Sequence, residues 1–397
     1  MSTFEQPLRY PTGTDARLGV DPALAGLRAR CPLPHIQLPY GRQARLVTRH
    51  ADAKAVLTDR RFSRARQVRD APRLMATPRN PRVITSIDPP EHSRVRGLAA
   101  KAFSPARIRL LHGRAEHTAR ELVDDMITKG APADLVADLG RPLPLAMICG
   151  MLGVEPADRT AFRGWTDDML LTAEEDRPRA EQAMGALYKH IVGLVAQRRE
   201  RERDDLLSDL VNASDDTGRL SDEELNLLAV SLLAAGYETT STMIVNAVYL
   251  LFTHPEQFDL LRADPGLLPR AVEEFLRYAG ITGVDQARIA LEDVELPSGP
   301  IRAGEAVVVS LESANRDEDV FPHADRLDLT REHNPHLSFS HGPHFCIGAQ
   351  LARMELTIAL ETLLARMPGL RCAVPVEEIE WVSGSLARRP VSLPVAW

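Results

Sequence analysis

Cys346 is the residue of this sequence best suited to binding a metal. It lies in the segment FSHGPHFCIG, residues 339–348, where a glycine-rich turn meets a strongly helical pattern. The start of a helix offers unpaired N–H groups and a positive dipole end, and both stabilise a thiolate. Gly342 and Gly348 would let a large flat ligand approach the backbone closely, and Phe339 could shield the sulfur from water. Considered alone, however, Cys346 is most simply a buried structural thiol.

An acidic and a hydroxyl side chain, Glu238 and Thr239, stand next to each other inside a long apolar stretch, directly after Ala235, Gly236 and a tyrosine. A glycine inside a helix costs about 0.5–1 kcal/mol relative to alanine, which suggests that space is needed there. A hydroxyl bonded back to its helix can open the local hydrogen-bond ladder, and an acid beside an alcohol can relay protons. The simpler alternative is a salt-bridged Glu238 and a Thr239 that caps a kink. Thr240 is expected to be structural.

Four basic residues have no special role that their positions alone assign. His92 and Arg96 share one face of a predicted helix because they are four residues apart. Arg288 lies in the segment QARIALEDVEL, after the predicted helix at 269–278, and His344 lies two residues before Cys346. Each of the four, taken singly, is most simply a solvated surface residue.

The segment at residues 339–348 resembles the haem-binding signature of the cytochrome P450 family, and three further motifs follow the family's order from about Asp88 onwards. The resemblance implies a mainly α fold with small β-sheets (α+β). It implies a single domain over residues 1–397, with haem between a long oxygen-side helix and the cysteine loop. The expected function is mono-oxygenation: dioxygen is activated to hydroxylate or epoxidise a small organic substrate, in the tailoring of a natural product.

The same resemblance assigns roles to individual residues. Haem b would be bound by Cys346 as iron ligand, with further contacts from His92, Arg96, Arg288, His344, Phe339, Gly348, Ala235 and Gly236. Thr239 would hydrogen-bond to dioxygen as it is reduced, and Glu238 would connect Thr239 to solvent. Glu274 and Arg277 would form a buried structural pair, completed by Arg326, that holds the cysteine loop.

The sequence departs from the family pattern at two places. Ser340 stands where close relatives usually have glycine, and the segment after Arg277 lacks the usual proline. That segment normally lines the substrate pocket, so Ile281, Thr282 and Val284 are expected to face the substrate. Further pocket walls are expected from residues 60–87, 230–239 and 382–386.

Positive charge is concentrated in two segments. Residues 60–82 are rich in arginine and proline, which is typical of a mobile solvated loop. The alternative is that Arg66, Arg69 and Arg73 recognise an anionic substrate group. The run from His92 to Arg114 suggests an acidic partner, and the resemblance places it where a ferredoxin would dock. Since no flavin domain or iron–sulfur cysteine set is visible, ferredoxin and ferredoxin reductase would be separate proteins.

The elements that must position these residues are mostly helical. Helical spacing dominates residues 105–255 and recurs at 51–57, 269–278 and 346–367, whereas 44–48, 83–87 and 301–311 read as strands. The apolar run 225–252 has Glu238 at its centre, which favours a buried helix over a membrane span. No signal peptide is visible.

The composition of the chain favours a cytoplasmic protein that does not bind nucleic acid. The four cysteines are widely spaced, which fits a reducing cytoplasm. The net charge of −7 argues against a nucleic-acid partner. Two other functions stay open: a haem-thiolate enzyme of atypical chemistry, such as oxidative coupling, ring formation or peroxide-driven oxidation, and a non-catalytic haem sensor.

Overall fold

Helices dominate the computed structural model of the chain, which describes residues 7–11, 17–66, 70–78, 80–100, 103–215, 220–280, 287–386 and 388–397. The α-helices of these residues are α1 Pro22–Arg30, α2 His50–Thr58, α3 Glu91–Ala100, α4 Pro105–Lys129, α5 Pro142–Met151, α6 Arg159–Met169, α7 Arg177–Glu200, α8 Leu206–Asp215, α9 Asp222–Thr253, α10 Pro255–Ala263, α11 Leu268–Tyr278, α12 Leu311–Ala314 and α13 Ala349–Arg366. The predicted α+β class with small sheets is confirmed.

The longest helix, α9, runs through the interior and starts at a capping box. The Ser221 hydroxyl accepts from the Glu224 N–H at 3.2 Å, and the Glu224 carboxylate accepts from the Ser221 N–H at 2.8 Å. This arrangement satisfies two N–H groups that a helix start otherwise leaves unpaired. In length and composition α9 could cross a membrane, but 72% of its most apolar window is buried inside the protein. It is built as a core helix, packed against α5, α7, α11 and α13.

The strands are short and form three sheets. They are β1 Leu8–Arg9, β2 His35–Gln37, β3 Ala44–Val47, β4 Phe62–Ser63, β5 Ala133–Asp134, β6 Arg288–Ala290, β7 Val294–Leu296, β8 Gly299–Ile301, β9 Ala306–Val309, β10 Arg371–Cys372 and β11 Pro394–Ala396. The largest sheet has the order β1-β2-β3-β9-β6-β4, and β3 and β9 pair in parallel at its centre. Strand β9 is apolar and buried along its whole length, as expected of a strand covered on both faces, and β3 is apolar except for the partly buried Arg45.

Three predicted elements differ from the structure. Residues 83–87 do not form a strand but a 3₁₀ turn, Ile84–Ser86. The run predicted as one strand over 301–311 is broken by a turn, in which Gly304 has a φ of +83° that favours glycine. The helix expected from residue 346 begins at Ala349, so Cys346 precedes it. The prediction of a single domain over residues 1–397 stays a prediction.

A buried charge network links α11 to the cysteine loop. Glu274 and Arg277 are fully buried and form two hydrogen bonds, at 2.7 and 2.8 Å. Arg277 also donates to the Asn315 carbonyl at 2.9 Å. The Asn315 side chain binds the next segment in turn: its Oδ1 accepts from the Leu337 N–H and its Nδ2 donates to the Ser338 hydroxyl. The network therefore fixes the two residues that lead into the cysteine loop.

The prediction that Arg326 completes this network is wrong. Arg331 reaches Glu274 with its Nε at 3.1 Å, and the Asn334 side chain donates to the same carboxylate oxygen at 3.0 Å. Arg326 is exposed and contributes only its backbone carbonyl, which accepts from Arg277 at 3.0 Å. The segment lacks regular secondary structure here, so sequence spacing does not tell which arginine turns inward.

Candidate active site

A cavity of about 350 Å³ lies between α9 and the cysteine loop. One wall is made by α9 and the other by the segment that carries Cys346. The described residues that line the cavity are Arg64, Thr85, Phe103, Ile148, Leu232, Ala235, Gly236, Thr239, Thr240, Met243, Leu276, Leu311, Ser338, Phe339, Ser340, His344, Cys346, Ile347, Gly348, Leu351, Ala352 and Leu356. Mostly apolar walls with a few polar groups are typical of a cofactor or ligand site.

The loop around Cys346 is held by its own backbone. The Cys346 N–H donates to the Phe339 carbonyl at 2.8 Å, and the Phe345 N–H donates to the Gly342 carbonyl at 3.0 Å. Gly342 has a φ of +69°, and a Cβ there would lie 2.5 Å from the Leu57 carbonyl oxygen. Its missing side chain therefore lets the loop pack on α2, and the expectation that it admits a ligand is wrong.

Gly348 agrees better with the expected role of a glycine beside a flat ligand. It lines the cavity, and a Cβ at this position would have the Phe103 ring, at 3.9 Å, as its nearest neighbour. Packing against the rest of the described chain therefore does not require a glycine here. Phe339 is buried beside the loop, with the Arg353 guanidinium 4.5 Å from its ring centre.

The Cys346 side chain is open to the cavity and is otherwise surrounded by protein. This burial raises the pKa of its thiol, while the Gly348 N–H and the positive charges of Arg96 and Arg353 lower it. Arg96 is fixed nearby by donating to the Phe345 carbonyl at 2.6 Å. A cationic metal at the sulfur would add the charge needed for a stable thiolate.

The described residues contain no group of three or more His, Cys, Asp or Glu that could hold a metal ion. A metal bound to Cys346 would therefore have to bring most of its ligands with it. A metal held in a flat macrocycle would meet this condition, since the macrocycle supplies most of the ligands itself. The residues present fit such a cofactor.

Cationic groups gather at one edge of the cavity. Arg64 and His344 line it, and the His92 ring lies against the His344 ring with centroids 4.1 Å apart. Burial, followed by the charges of Arg96 and Arg64, lowers the pKa of His92 to about 4. Carboxylates of a bound ligand would relieve this concentration of positive charge. Arg288, at the start of β6, is buried and is not among the described lining residues.

Arg64 was not among the residues predicted from the sequence. It directly follows β4, and its backbone N–H donates to the Asp88 carboxylate at 2.9 Å. Its guanidinium donates to the Thr85 carbonyl at 3.2 Å, which holds it at the cavity edge. The signals in the sequence were its place within the arginine-rich segment 60–82 and within the segment 60–87 that was expected to form a pocket wall, and neither distinguished it from its neighbours.

Thr239 and Glu238 face different surroundings. Thr239 lines the cavity, and its hydroxyl donates to the Ala235 carbonyl at 2.5 Å. Glu238 is 3% exposed, is not among the described lining residues, and accepts from Arg389 Nε at 2.9 Å. Burial raises the pKa of Glu238, and the charge of Arg389 opposes this rise. The salt bridge foreseen as the simpler alternative is therefore present.

Gly236 lines the cavity as expected, but the space left by its missing side chain has another use. A Cβ at this position would lie 3.0 Å from the Ile148 Cδ1 on α5. Gly236 thus permits the close packing of α5 on α9, and Ile148 forms part of the cavity wall in its place. Thr240, expected to be only structural, also lines the cavity.

The expected substrate-facing residues are only partly testable. Ile281, Thr282 and Val284 lie outside the described residues, as does Arg69. The segment 382–386 is not among the described lining residues; instead, Leu386 donates to the Leu170 carbonyl at 3.1 Å. Arg64 and Thr85 show that the segment 60–87 does contribute to the wall, as expected.

Comparison with known proteins identifies the relatives of this chain. The family model described as Cytochrome P450 matches residues 162–368. Nocardicin C N-oxygenase of Nocardia uniformis subsp. tsuyamanensis is 48% identical over 391 residues, which cover 98% of each chain. Mycinamicin IV hydroxylase/epoxidase of Micromonospora griseorubida is 44% identical over 401 residues, which cover 100% of each chain. The solved structure of HinD with NMFT and NO has a TM-score of 0.95 at 45% identity, covering 99% of this chain and 100% of that chain.

Proposed function

This chain belongs to the cytochrome P450 family, and we propose that Cys346 is the thiolate that ligates its haem iron. Members of the family bind haem b through a cysteine thiolate and act as mono-oxygenases. The observation that carries the proposal is the position of Cys346, which faces the same cavity as Thr239 across a gap bounded by apolar walls. The substrate of the enzyme is a small organic molecule, which the enzyme hydroxylates or epoxidises with dioxygen in the tailoring of a natural product.

The cationic edge of the cavity would hold the haem propionates. Arg64 and His344 line this edge, and His92 and Arg96 lie behind them. A propionate beside His92 would favour its charged form and reverse the lowering of its pKa. Arg288 is buried on β6, which lies next to β4 in the largest sheet, and it completes the set of expected propionate partners.

Bound haem supplies the redox and oxygen chemistry. The protein supplies the sulfur ligand, the substrate pose and the protons. Thr239 presents a hydroxyl at the cavity wall, held by the Ala235 carbonyl at 2.5 Å. Glu238, on the adjacent face of α9, is the acid that would replace a proton given up by Thr239. Because its pKa is raised by burial, Glu238 retains its proton to higher pH than a solvated glutamate does.

We propose that electrons come from a separate ferredoxin and its reductase, in the cytoplasm. The basic run from His92 to Arg114 indicates an acidic partner less strongly in the structure than in the sequence, because some of its arginines are already paired within the protein. Arg94 pairs with Glu224, and Arg107 pairs with Asp209 at 3.1 Å. Arg109 and Arg114 remain exposed on α4. Replacing both with glutamate should weaken reduction by ferredoxin, whereas chemical reduction by dithionite should be unaffected.

The ligand assignment is tested by the absorbance spectrum of the reduced protein with carbon monoxide. The wild type and a Cys372→Ser control should both give the strongly red-shifted Soret band of thiolate ligation, and Cys346→Ser should not. The control removes a partly buried thiol elsewhere in the chain. A histidine-like band in the wild type, or a thiolate band that survives in Cys346→Ser, would contradict the assignment.

Turnover separates mono-oxygenation from the other functions. The enzyme should form an oxygenated product with ferredoxin, its reductase and NAD(P)H, and a substrate panel can be screened by the haem spin-state shift. A protein that binds haem but turns over no compound would be a sensor. Turnover with peroxide alone, or coupled products without added oxygen, would indicate the atypical chemistries.

A further inference from the structure

A second cleft, of about 630 Å³, lies beside the largest sheet. It is bounded by the turn between β2 and β3 and by the turn between β8 and β9. The polar residues that line it are His35, Gln37, Arg42, Gln43, Arg45 and Glu305. The described residues of this cleft are all different from those that line the cavity between α9 and the cysteine loop. We call this space the sheet cleft.

Two arginines of the sheet cleft have no acidic partner among the described residues. The Arg42 guanidinium donates to the Gly304 carbonyl at 2.7 Å, and Arg45 Nη1 contacts His35 Nε2 at 2.8 Å. Both arginines are partly buried. A guanidinium is always charged in a protein, and a charge that is partly removed from water is stabilised by an opposite charge. The chain does not supply that charge from its described residues, so an anion from solution would complete the site.

Both arginines also have unused hydrogen-bond donors. The Nε atoms of Arg42 and Arg45 are buried and have no hydrogen-bond partner in the described part of the chain. An unpaired buried donor is unfavourable, and more so when the group is charged. Arg302, on the turn at the edge of the cleft, differs because its guanidinium donates to the Asp293 carboxylate at 2.8 Å. A carboxylate or phosphate can accept from two N–H groups of one guanidinium at once.

His35 is a weak partner that an anion could replace. A guanidinium can only donate hydrogen bonds, so His35 Nε2 must accept from Arg45, and the imidazole is therefore neutral. The two residues lie opposite each other on β2 and β3. The neutral ring satisfies one N–H group of Arg45 but does not balance its charge. Because His35 is exposed, its side chain can turn into solvent and leave Nη1 to a bound oxyanion.

Glu305 does not take the place of the anion. This carboxylate lines the sheet cleft, but its Oε2 accepts from the Arg302 N–H at 2.6 Å and so closes the turn between β8 and β9. It forms no ion pair with Arg42 or Arg45. The described lining thus holds two positive charges against one negative charge. This balance favours a negatively charged ligand.

The turn that carries Arg42 also holds part of the segment 60–87, both ends of which contribute to the cavity wall. The Arg42 N–H donates to the Asp70 carbonyl at 2.7 Å. Tyr40 and Arg73 exchange two backbone hydrogen bonds, of 3.0 and 3.2 Å. A ligand that fixes the Arg42 side chain would therefore also stabilise the backbone contact with residues 70–73.

We propose that the sheet cleft binds a small organic anion through carboxylate or phosphate oxygens. Arg45 would donate to the anion with two parallel N–H groups, and Arg42 would supply the second positive charge. The bound anion acts as an effector, because it stabilises the contact between the β2–β3 turn and residues 70–73. The proposal goes beyond the proposed function and does not depend on it, since neither effect requires turnover.

Calorimetric titration of the haem-containing protein tests the binding. Two probes separate the possible sources of the oxyanion: citrate presents carboxylates, and inorganic pyrophosphate presents phosphates. At least one probe should bind to a single site with a Kd below about 1 mM, and the tighter one identifies the class of ligand. Arg45→Gln should weaken binding at least about tenfold, whereas Arg45→Lys keeps the charge without the paired N–H groups and should lie between.

The matched control is Arg371→Gln, which removes the same charge from an exposed position on β10 in another sheet. This variant should bind the probe as tightly as the wild type does. Should Arg45→Gln fail to fold, Arg42→Gln removes the second charge of the sheet cleft and should also weaken binding.

Amide hydrogen exchange tests the effect on the backbone contact. Opening of this contact would disrupt the site, so a probe at about ten times its Kd should slow exchange of the Arg42 and Arg73 amides roughly tenfold. In Arg45→Gln the same concentration should slow exchange much less. The proposal is overturned if the wild type binds neither probe, if Arg45→Gln binds as tightly as the wild type, or if bound probe leaves exchange unchanged. Failure of the proposed haem-thiolate function would appear in the carbon monoxide spectrum and would leave these measurements unaffected.

Discussion

Glu355 should make the stability of this protein fall as the pH rises. The residue is 1% exposed on α13, and its Oε2 has no hydrogen-bond partner among the described residues. Burial raises the pKa of its carboxyl from 4.5 to about 8. Between these two pH values the folded protein binds a proton that the unfolded chain has lost. The free energy of unfolding therefore keeps its full value below pH 4.5 and decreases until the pH exceeds about 8.

The size of the effect follows from the same two values. Each pKa unit corresponds to about 1.36 kcal/mol, so the whole decrease is roughly 5 kcal/mol, as an order of magnitude. About 3 kcal/mol of it should be lost between pH 6 and pH 9. Glu355→Gln keeps the shape of the side chain and cannot ionise, so its stability should lack this decrease.

Urea unfolding at pH 6 and pH 9 measures the difference, because all other titrating groups are shared by the wild type and the variant. Glu361→Gln, an exposed position on the same helix, is the control and should follow the wild type. If the wild type and Glu355→Gln lose the same stability between the two pH values, within about 1 kcal/mol, then Glu355 does not titrate as its burial implies.

Four further substitutions test how the cysteine loop is supported. Ser340 has a φ of +61°, which costs a residue other than glycine about 1–2 kcal/mol. Ser340→Gly should therefore raise the free energy of unfolding by about 0.5–1 kcal/mol, after the larger entropy loss of glycine is subtracted, and thermal melts would measure it. Arg331→Ala removes a partner of buried Glu274 and should cost about 3–5 kcal/mol in urea unfolding. Arg326→Ala should change it by less than about 0.5 kcal/mol, and equal effects would contradict the geometry. Gly342→Ala forces a Cβ against a backbone carbonyl and should cost about 3 kcal/mol, with a lower haem content per protein by absorbance.

The features that the sequence predicted well are those carried by short motifs. Two such motifs are the segment 339–348 and the motif around Thr239. All residues of each motif are close together in the sequence, and the structure brings both motifs to one cavity. The prediction for Arg326 was wrong because the position of this residue depends on a long irregular segment. In that segment no periodicity marks the residue whose side chain turns inward. The nearby Arg331 has the same chemistry, and only the backbone path decides between the two.

Glycines show a second limit of prediction from sequence. A glycine indicates that space is needed, but not what occupies the space. At Gly236 the neighbour is Ile148 and at Gly342 it is the carbonyl of Leu57, and both belong to elements remote in sequence. Of these three glycines, only Gly348 lines the cavity without a close neighbour at the place of a side chain. A role in ligand approach could therefore not be assigned before the packing was known.

Glu238 shows how adjacency in sequence separates side chains in a helix. Successive residues of an α-helix point about 100° apart. Of the two neighbours of Thr239, Thr240 lines the cavity with it, whereas Glu238 points to Arg389. The Thr239 hydroxyl donates to the Ala235 carbonyl, an acceptor that the helix normally reserves for a backbone N–H. This competition is where the hydrogen-bond ladder of α9 can open, next to the buried Glu238.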